Sequence, residues 1–331
     1  MGKGAKLSKI GERKAIEEMT KIFMRRSPEK GAKCSLSVGI GDDCAAIDMG
    51  KEYLLVTTDV ISRKTHVPRQ ATPWQIGWFL VAVNLSDVAS KGGRPIGLVM
   101  ALGLPRETEE KFLLDLARGM DDCARAYGTQ IIGGDTKENS NLTIAGTALG
   151  LVKKERFMPR FGAKEGDLVA VTGRLGAAAA GYYSLGSNLG IKTAENAMLE
   201  PQPRIAEGIA LAKSGAATSC MDISDGLATS LYQMTKLGCE IEVSKIPIAP
   251  ETMEVERLTG KNALEQALYY GGDYELVCTL KQDMAKKAVR AVEKAGGRLA
   301  IIGKIGGKRK MLLDSNGKKM PLENRGYEHF L

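Results

Sequence analysis

Short apolar runs of strand type alternate with helical runs along this chain, and the alternation lapses once. A first helical pattern covers residues 8–26. Tyr53 to Thr58 reads as a strand that delivers Asp59 at its C-terminal end. A helix follows from about Pro73 to Ser90, with Pro73 suited to its first turn. Next come a strand over Ile96 to Leu104, an amphipathic helix over Glu107 to Tyr127, Ile131-Ile132 running into Gly133-Gly134-Asp135, and a strand over Leu142 to Val152. From Lys153 to Gly166 charged and turn residues take over. The pattern restarts with a strand over Leu168 to Thr172, a Gly/Ala-rich turn and helix through Ala180, a helix around Arg204 to Lys213, and a short strand before Asp222. A helix over Leu227 to Lys236, strands over 239–243, 274–280 and 298–305, and a helix over 283–295 complete it. Such interleaving in both halves predicts a layered α/β architecture. The lapse predicts two domains, residues 1–153 and 154–331. A chain of 331 residues, 44% of them hydrophobic, is long enough for two cores.

Aspartates in short turns built of Gly, Ser and Thr recur along this pattern: Gly39-Ile40-Gly41-Asp42-Asp43, Thr57-Thr58-Asp59, Asn84-Leu85-Ser86-Asp87, Gly133-Gly134-Asp135-Thr136 and Asp222-Ile223-Ser224-Asp225-Gly226. The ordinary use of one such Asp is a helix cap or a turn, and Asp225 before Gly226 could simply cap. Their joint occurrence points elsewhere. Asp59, Asp135 and Asp222 each follow a short apolar strand, and strand C-terminal ends are where α/β folds gather ligands. Asn84 and Asp87, three residues apart on a helix, share a face. Converging carboxylates repel and raise one another's pKa, a conflict that bound Mg²⁺ removes. Asp42 and Asp43 are adjacent, so their side chains should diverge, with Asp43 the ligand and Asp42 its support.

Other chemistries are harder to build. Two histidines, His66 and His329, do not make a His-based zinc site or a series of general bases. The Walker phosphate loop, the dinucleotide fingerprint and the protein-kinase set are all missing from the sequence. The formal charge of +8 concentrates near the N-terminus and in Gly307-Lys308-Arg309-Lys310, without interleaved aromatics, which argues against a nucleic-acid platform. The six cysteines are scattered, as in a reduced cytoplasmic protein. No leader-like segment stands at the start, and the most apolar stretch, Ile76 to Leu85, is too short to span a bilayer and reads as a buried helix. The expectation is a cytoplasmic protein without membrane or nucleic-acid partners.

Five segments resemble the thiamine-monophosphate kinases, of the superfamily named for aminoimidazole ribonucleotide synthetase. They are Gly39 to Ile47, Thr57 to Asp59, Ala82 to Ala89, Ile132 to Thr136 and Met221 to Leu227. Secondary matches are Val171 to Gly176, Pro201 to Arg204, Gly272 to Leu276 and Gly326 to Phe330, in order over nearly the whole chain. The resemblance implies Mg²⁺- and ATP-dependent phosphorylation of thiamine monophosphate to thiamine diphosphate. It also implies a homodimer whose N-terminal domains share a β-barrel, each next to a C-terminal α/β domain. Carried over by position, the ligands of several Mg²⁺ ions would be Asp43, Thr57, Thr58, Asp59, Asp87, Asp135, Asp222 and Asp225. Of these, Asp87, Asp135, Asp222 and Asp225 would form the catalytic set. Gly134, Asp135, Arg160 and Ser224 would contact ATP; His66 and Tyr327 would contact the thiamine substrate.

Each carried-over residue also has an ordinary alternative. Arg160 is either a phosphate clamp or a surface arginine, His66 a substrate contact or a solvated loop residue, and Tyr327 an aromatic near thiamine or a core anchor. Cys44 reads as a small packed residue. Gly272 stands where the family pattern commonly has a substrate-contacting glutamate, which leaves Asp273 or Glu275 to fill in. The rival functions are a sibling reaction on the same scaffold (Lys33-Cys34 poorly imitates a selenophosphate-synthesis site) and a non-catalytic nucleotide or thiamine-phosphate sensor.

Overall fold

The structure is a computed structural model that describes residues 6–23, 36–313 and 317–327. Lys33, Cys34, His329 and Phe330 lie outside the described residues. The first half runs α1 (Leu7–Phe23), β1 (Leu36–Val38), β2 (Ala45–Asp48), β3 (Glu52–Ser62), α2 (Pro73–Ser90), β4 (Arg94–Leu104), α3 (Glu110–Ala126), β5 (Ile131–Glu138) and β6 (Thr143–Lys153). Its strands form one sheet in the order β1-β2-β3-β6-β4-β5, antiparallel except for the parallel pair β4–β5.

The second half opens with β7 (Leu168–Thr172), α4 (Ala177–Ser187), α5 (Lys192–Leu199), α6 (Ile205–Ser214), β8 (Ala217–Asp222), α7 (Leu227–Met234) and β9 (Cys239–Glu242). It closes with α8 (Pro250–Thr259), α9 (Ala263–Tyr269), β10 (Leu276–Leu280), α10 (Ala285–Lys294), β11 (Leu299–Ile305), β12 (Lys310–Leu313) and β13 (Lys319–Pro321). Its sheet has the order β13-β12-β9-β11-β7-β10-β8. β7 is apolar at every position up to Thr172 because both faces are covered: Ala170 joins one core cluster, Val169 and Val171 the other.

The expected α/β layering is present, as two mixed sheets with helices against them. Three details differ. The first sheet is open within one chain, so no barrel forms there. β3 continues past Asp59, because its whole length pairs with β6 from Glu52–Lys153 to Ser62–Thr143; Asp59 is therefore mid-strand. Gly133-Gly134-Asp135 is not a turn but part of β5. A Cβ on Gly134 would come 2.2 Å from the Met100 carbonyl oxygen of β4, so the glycine serves close backbone approach.

α2 is the centre of the molecule. Thr72 and Gln75 form a reciprocal capping box at its start, with Pro73 in the first turn. From Leu80 to Ser90 all its residues but Asp87 are buried, on every side of the helix. The reason is that it packs on β3 and β6, on α3, and on α6 and β8 of the other half. A Cβ on Gly208 of α6 would sit 2.1 Å from the Ala89 carbonyl oxygen, so the α2–α6 contact is backbone to backbone. We expect Gly208→Val to lower stability by about 1–3 kcal/mol through overpacking. Thermal unfolding checks this, and an unchanged melting temperature would refute the contact's role.

Candidate active site

α2, the loop before β2, β3 and β8 bring carboxylates from both halves of the chain together. Side-chain oxygens of Asp43, Asp87 and Asp222 lie within 4.8 Å of one another. Asp87 points from α2 toward Thr57 on β3, whose hydroxyl donates to its Oδ2. Asp222, the last residue of β8, accepts a hydrogen bond from Ser86 on α2 at 2.7 Å. Asp59 lies beside them; its backbone N–H donates to Asn84 Oδ1 at 3.1 Å, and Asn84 in turn donates to the Leu80 carbonyl. The helical spacing thus places Asn84 against β3 and Asp87 in the cluster, as the shared face requires.

The electrostatics divide the cluster in two. Burial, followed by the charges of Asp225 and Asp43, raises Asp59 to about 6. Burial and then Asp43 raise Asp222 to about 7, and burial with Asp59, Asp222 and Asp43 lifts Asp87 well above the carboxylate range. Asp43 goes the other way. Burial opposes its ionisation, but Lys91 and Arg160 outweigh burial and hold it below its ordinary value. Asp42 and Asp43 do not diverge as expected: their carboxylates converge on one ammonium, Lys91 Nζ, at 2.6 and 2.7 Å. Arg160 also pairs with Asp43, through Nε at 3.0 Å and through Nη2, while its backbone N–H donates to Asp42 Oδ2 at 2.9 Å. It is no surface arginine; its side chain is 18% exposed.

Other expected site residues lie apart from the cluster. Strand alternation turns Thr58 to the opposite face of the sheet from Thr57 and Asp59, where its hydroxyl donates to the Gly146 carbonyl at 2.7 Å. Asp135 pairs with Ala101, in a row with Ala145 and Val60, and so belongs to that same open face. Its side chain is 67% exposed. Gly134 is in the row of Asp59 but three strands away, about 14 Å at ordinary strand spacing. His66 is half-buried in the turn after β3, its Nδ1 2.7 Å from Thr65 Oγ1. Ser224 and Asp225 stand in the turn between β8 and α7; the Ser224 carbonyl accepts from Gly272 N–H. Tyr327 is half-exposed on the C-terminal segment, and burial, Glu12 and Asp225 raise its phenol; a Cβ on the preceding Gly326 would come 2.4 Å from the Asp225 carbonyl oxygen, so this segment packs on the Asp222–Asp225 turn.

Both candidates to fill in for the family glutamate are held by groups of the protein. Asp273 accepts from the N–H groups of Gly176 and Ala178 and so caps α4. Glu275 accepts from the Thr172 hydroxyl and from Nε and Nη2 of Arg204. Two residues escaped the sequence reading. Lys91 looks like an ordinary lysine at a helix end. Tyr274 takes a left-handed φ of 50° although it is not glycine, and its ring packs edge-on against Phe79 at 5.9 Å. Its backbone N–H binds the Ile223 carbonyl, stitching this turn to the Asp222–Asp225 turn. Strain at a bulky residue is held where surrounding structure over-determines it, as at a site.

The chain is similar to known proteins over most of its length. Residues 41–152 match the family model "AIR synthase related protein, N-terminal domain", and residues 164–314 match "AIR synthase related protein, C-terminal domain". A thiamine-monophosphate kinase of Methanospirillum hungatei is 37% identical over 87% of this chain and 92% of its own length. One from Pyrococcus abyssi is 33% identical over 88% and 90%. Among solved structures, AaThiL complexed with AMPPCP and TMP superposes with a TM-score of 0.84 at 28% identity, covering 98% of this chain and 99% of that one.

Proposed function

Because the chain belongs to the thiamine-monophosphate kinases of the AIR synthase-related family, we propose that the acidic cleft between its two halves is where phosphoryl transfer takes place. The reaction is the ATP-dependent phosphorylation of thiamine monophosphate to thiamine diphosphate. One observation carries the assignment of the site: Asp43, Asp87 and Asp222 converge from a loop, α2 and β8, so the cluster needs both halves of the chain.

Three carboxylates raised by burial and mutual repulsion are a donor set suited to a hard divalent cation. We assign Asp59, Asp87, Asp222 and Asp225 as the residues that hold Mg²⁺, with Thr57 orienting Asp87. Mg²⁺ bound there supplies neutralisation of the phosphate charges. Arg160, fixed by Asp43, keeps further N–H donors for a phosphate oxygen. The acceptor is a phosphate monoester with a second pKa of about 6, so its attacking oxygen is ionised near neutral pH. A general base is then unnecessary, and the γ-phosphoryl passes directly from ATP to the acceptor without a phosphoenzyme. His66 and Tyr327 remain our candidates for the thiamine side, and Ser224 for the nucleotide side.

The homodimer is part of the same proposal. Val60 and Val99 are 57% and 39% exposed on the open face of the first sheet, and a second copy covering that face would bury them. Asp135 lies on this face and Gly134 beside it on the edge strand, so we tie any part they play in ATP or metal binding to the dimer. We keep the division at residue 153, supported by the end of β6 there and the start of the second sheet at Leu168. The free, buried cysteines 44, 123, 220, 239 and 278 suit a reducing compartment, which supports a cytoplasmic enzyme. Among the described residues no helix is long and apolar enough to cross a membrane.

ADP release measured with thiamine monophosphate, unphosphorylated thiamine and an aminoimidazole precursor tests the function. Release with thiamine monophosphate alone is expected. Release with the aminoimidazole precursor instead would indicate a sibling reaction, and release with none of them would indicate a sensor; either result would contradict the reading.

A further inference from the structure

Lys91 caps the C-terminal end of α2, directly before Gly92-Gly93, and its side chain is fully buried. A lysine ammonium has three donors, and here all three are engaged. They reach Asp42 Oδ1 at 2.6 Å, Asp43 Oδ2 at 2.7 Å and the Cys220 carbonyl oxygen of β8 at 2.8 Å. Burial opposes the charge, but Asp43 and Asp42 outweigh it and keep the ammonium protonated. Lys91 therefore joins the Asp42–Asp43 loop, α2 and the second sheet at one point.

Asp43 is heavily engaged in turn. Its Oδ1 accepts from Nε and Nη2 of Arg160 and its Oδ2 from Lys91, while the single Ser90 hydroxyl proton is shared between Asp43 Oδ2 at 2.8 Å and the Asp87 carbonyl oxygen at 2.7 Å. A carboxylate offers about four lone-pair positions, so cationic donors of the protein already take most of them. The other side of the cluster is different. Among the described residues, no lysine or arginine lies within ion-pair distance of Asp59, Asp87 or Asp222. The same set of carboxylates thus has one corner neutralised by the protein and one that is not.

We propose that Lys91 is a positioning residue that acts as a fixed cation: it fills the Asp42–Asp43 corner, so that divalent ions load only on the Asp59, Asp87 and Asp222 side. The inference rests on the reading that this cleft binds divalent ions. The fixed ammonium holds Asp43, and through it Arg160, in place before any nucleotide arrives. Unlike an ion, it cannot leave with the product.

Counting bound Mn²⁺ by electron paramagnetic resonance, without nucleotide, tests this on the full chain, on Lys91→Met and on Lys91→Met/Asp42→Asn. Met keeps most of the side-chain volume while removing the charge. Lys91→Met should bind one Mn²⁺ more per chain than the natural protein, and Mn²⁺ should raise its melting temperature by a larger increment. The double variant loses one charge of each sign; it should show the same extra ion, and it serves if the single variant does not fold. Equal counts in the natural protein and in whichever variant folds would overturn the proposal. So would failure of both variants to fold with Mn²⁺ present, since a divalent ion could not then take the ammonium's place. If the natural protein bound no Mn²⁺ at all, the reading of the cleft as a metal site would fail instead.

Discussion

Asp87→Asn should lower the rate of phosphoryl transfer on the order of 10²–10³-fold at saturating Mg²⁺ and ATP, because charge neutralisation at such a site supplies several kcal/mol. The substitution is nearly isosteric, and the amide oxygen can still accept the Thr57 hydroxyl that now binds Asp87 Oδ2. The fold should therefore survive. Indeed the metal-free variant should melt higher than the natural protein. Burial and three neighbouring carboxylates, Asp59, Asp222 and Asp43, oppose ionisation of Asp87, and the amide removes that conflict. Loss of activity together with a gain in apo stability separates a ligand from a structural residue. Near-normal turnover, or an apo protein that melts lower, would contradict the assignment.

The second large effect is a pH dependence that metal should erase. Asp59 at about 6 and Asp222 at about 7 bind protons more tightly in the folded protein than an unfolded carboxyl does, and Asp87 is shifted the same way. Between the unfolded value of about 4 and these folded values, the folded state carries more protons, so stability falls as pH rises. Each unit of upward shift costs the ionised apo protein about 1.4 kcal/mol. Asp43 has the opposite sign: its lowered value contributes stability that is lost as pH falls below its ordinary range. Metal-free protein should therefore lose stability from about pH 4 to 7, and Mg²⁺ should flatten that slope by answering the charges. Denaturant unfolding across this range, with EDTA and with Mg²⁺, checks the sign. An apo protein whose stability rises from acid to neutral pH would show that these carboxylates are not in conflict.

Much of the site was legible in the sequence because the constraints there are local. Pro73 marks the start of α2, and the three-residue spacing of Asn84 and Asp87 sets their common face. What depends on register was not legible. Thr57, Thr58 and Asp59 are consecutive, so which of them enter the cleft is decided only when β3 is paired along its full length with β6. Gly133-Gly134 read as a turn, because a glycine that permits a tight bend and one that permits close strand pairing look alike in sequence. Lys91 escaped for a related reason. Its burial comes from β8, on the far side of the domain boundary, and no local pattern announces that contact. β1 and β13, of three residues each, are too brief for alternation to register.

If the uncompensated side of this cleft is a divalent-metal site serving phosphoryl transfer, a divalent ion will seat there with the nucleotide. The most direct test is an anomalous difference map from a crystal of the natural protein soaked in Mn²⁺ with a non-hydrolysable ATP analogue. Density is expected between Asp87 and Asp222, beside Asp59, and none at the Asp42–Asp43 corner where Lys91 stands. A map with no peak near Asp87 and Asp222, or with ions only elsewhere on the chain, would contradict it.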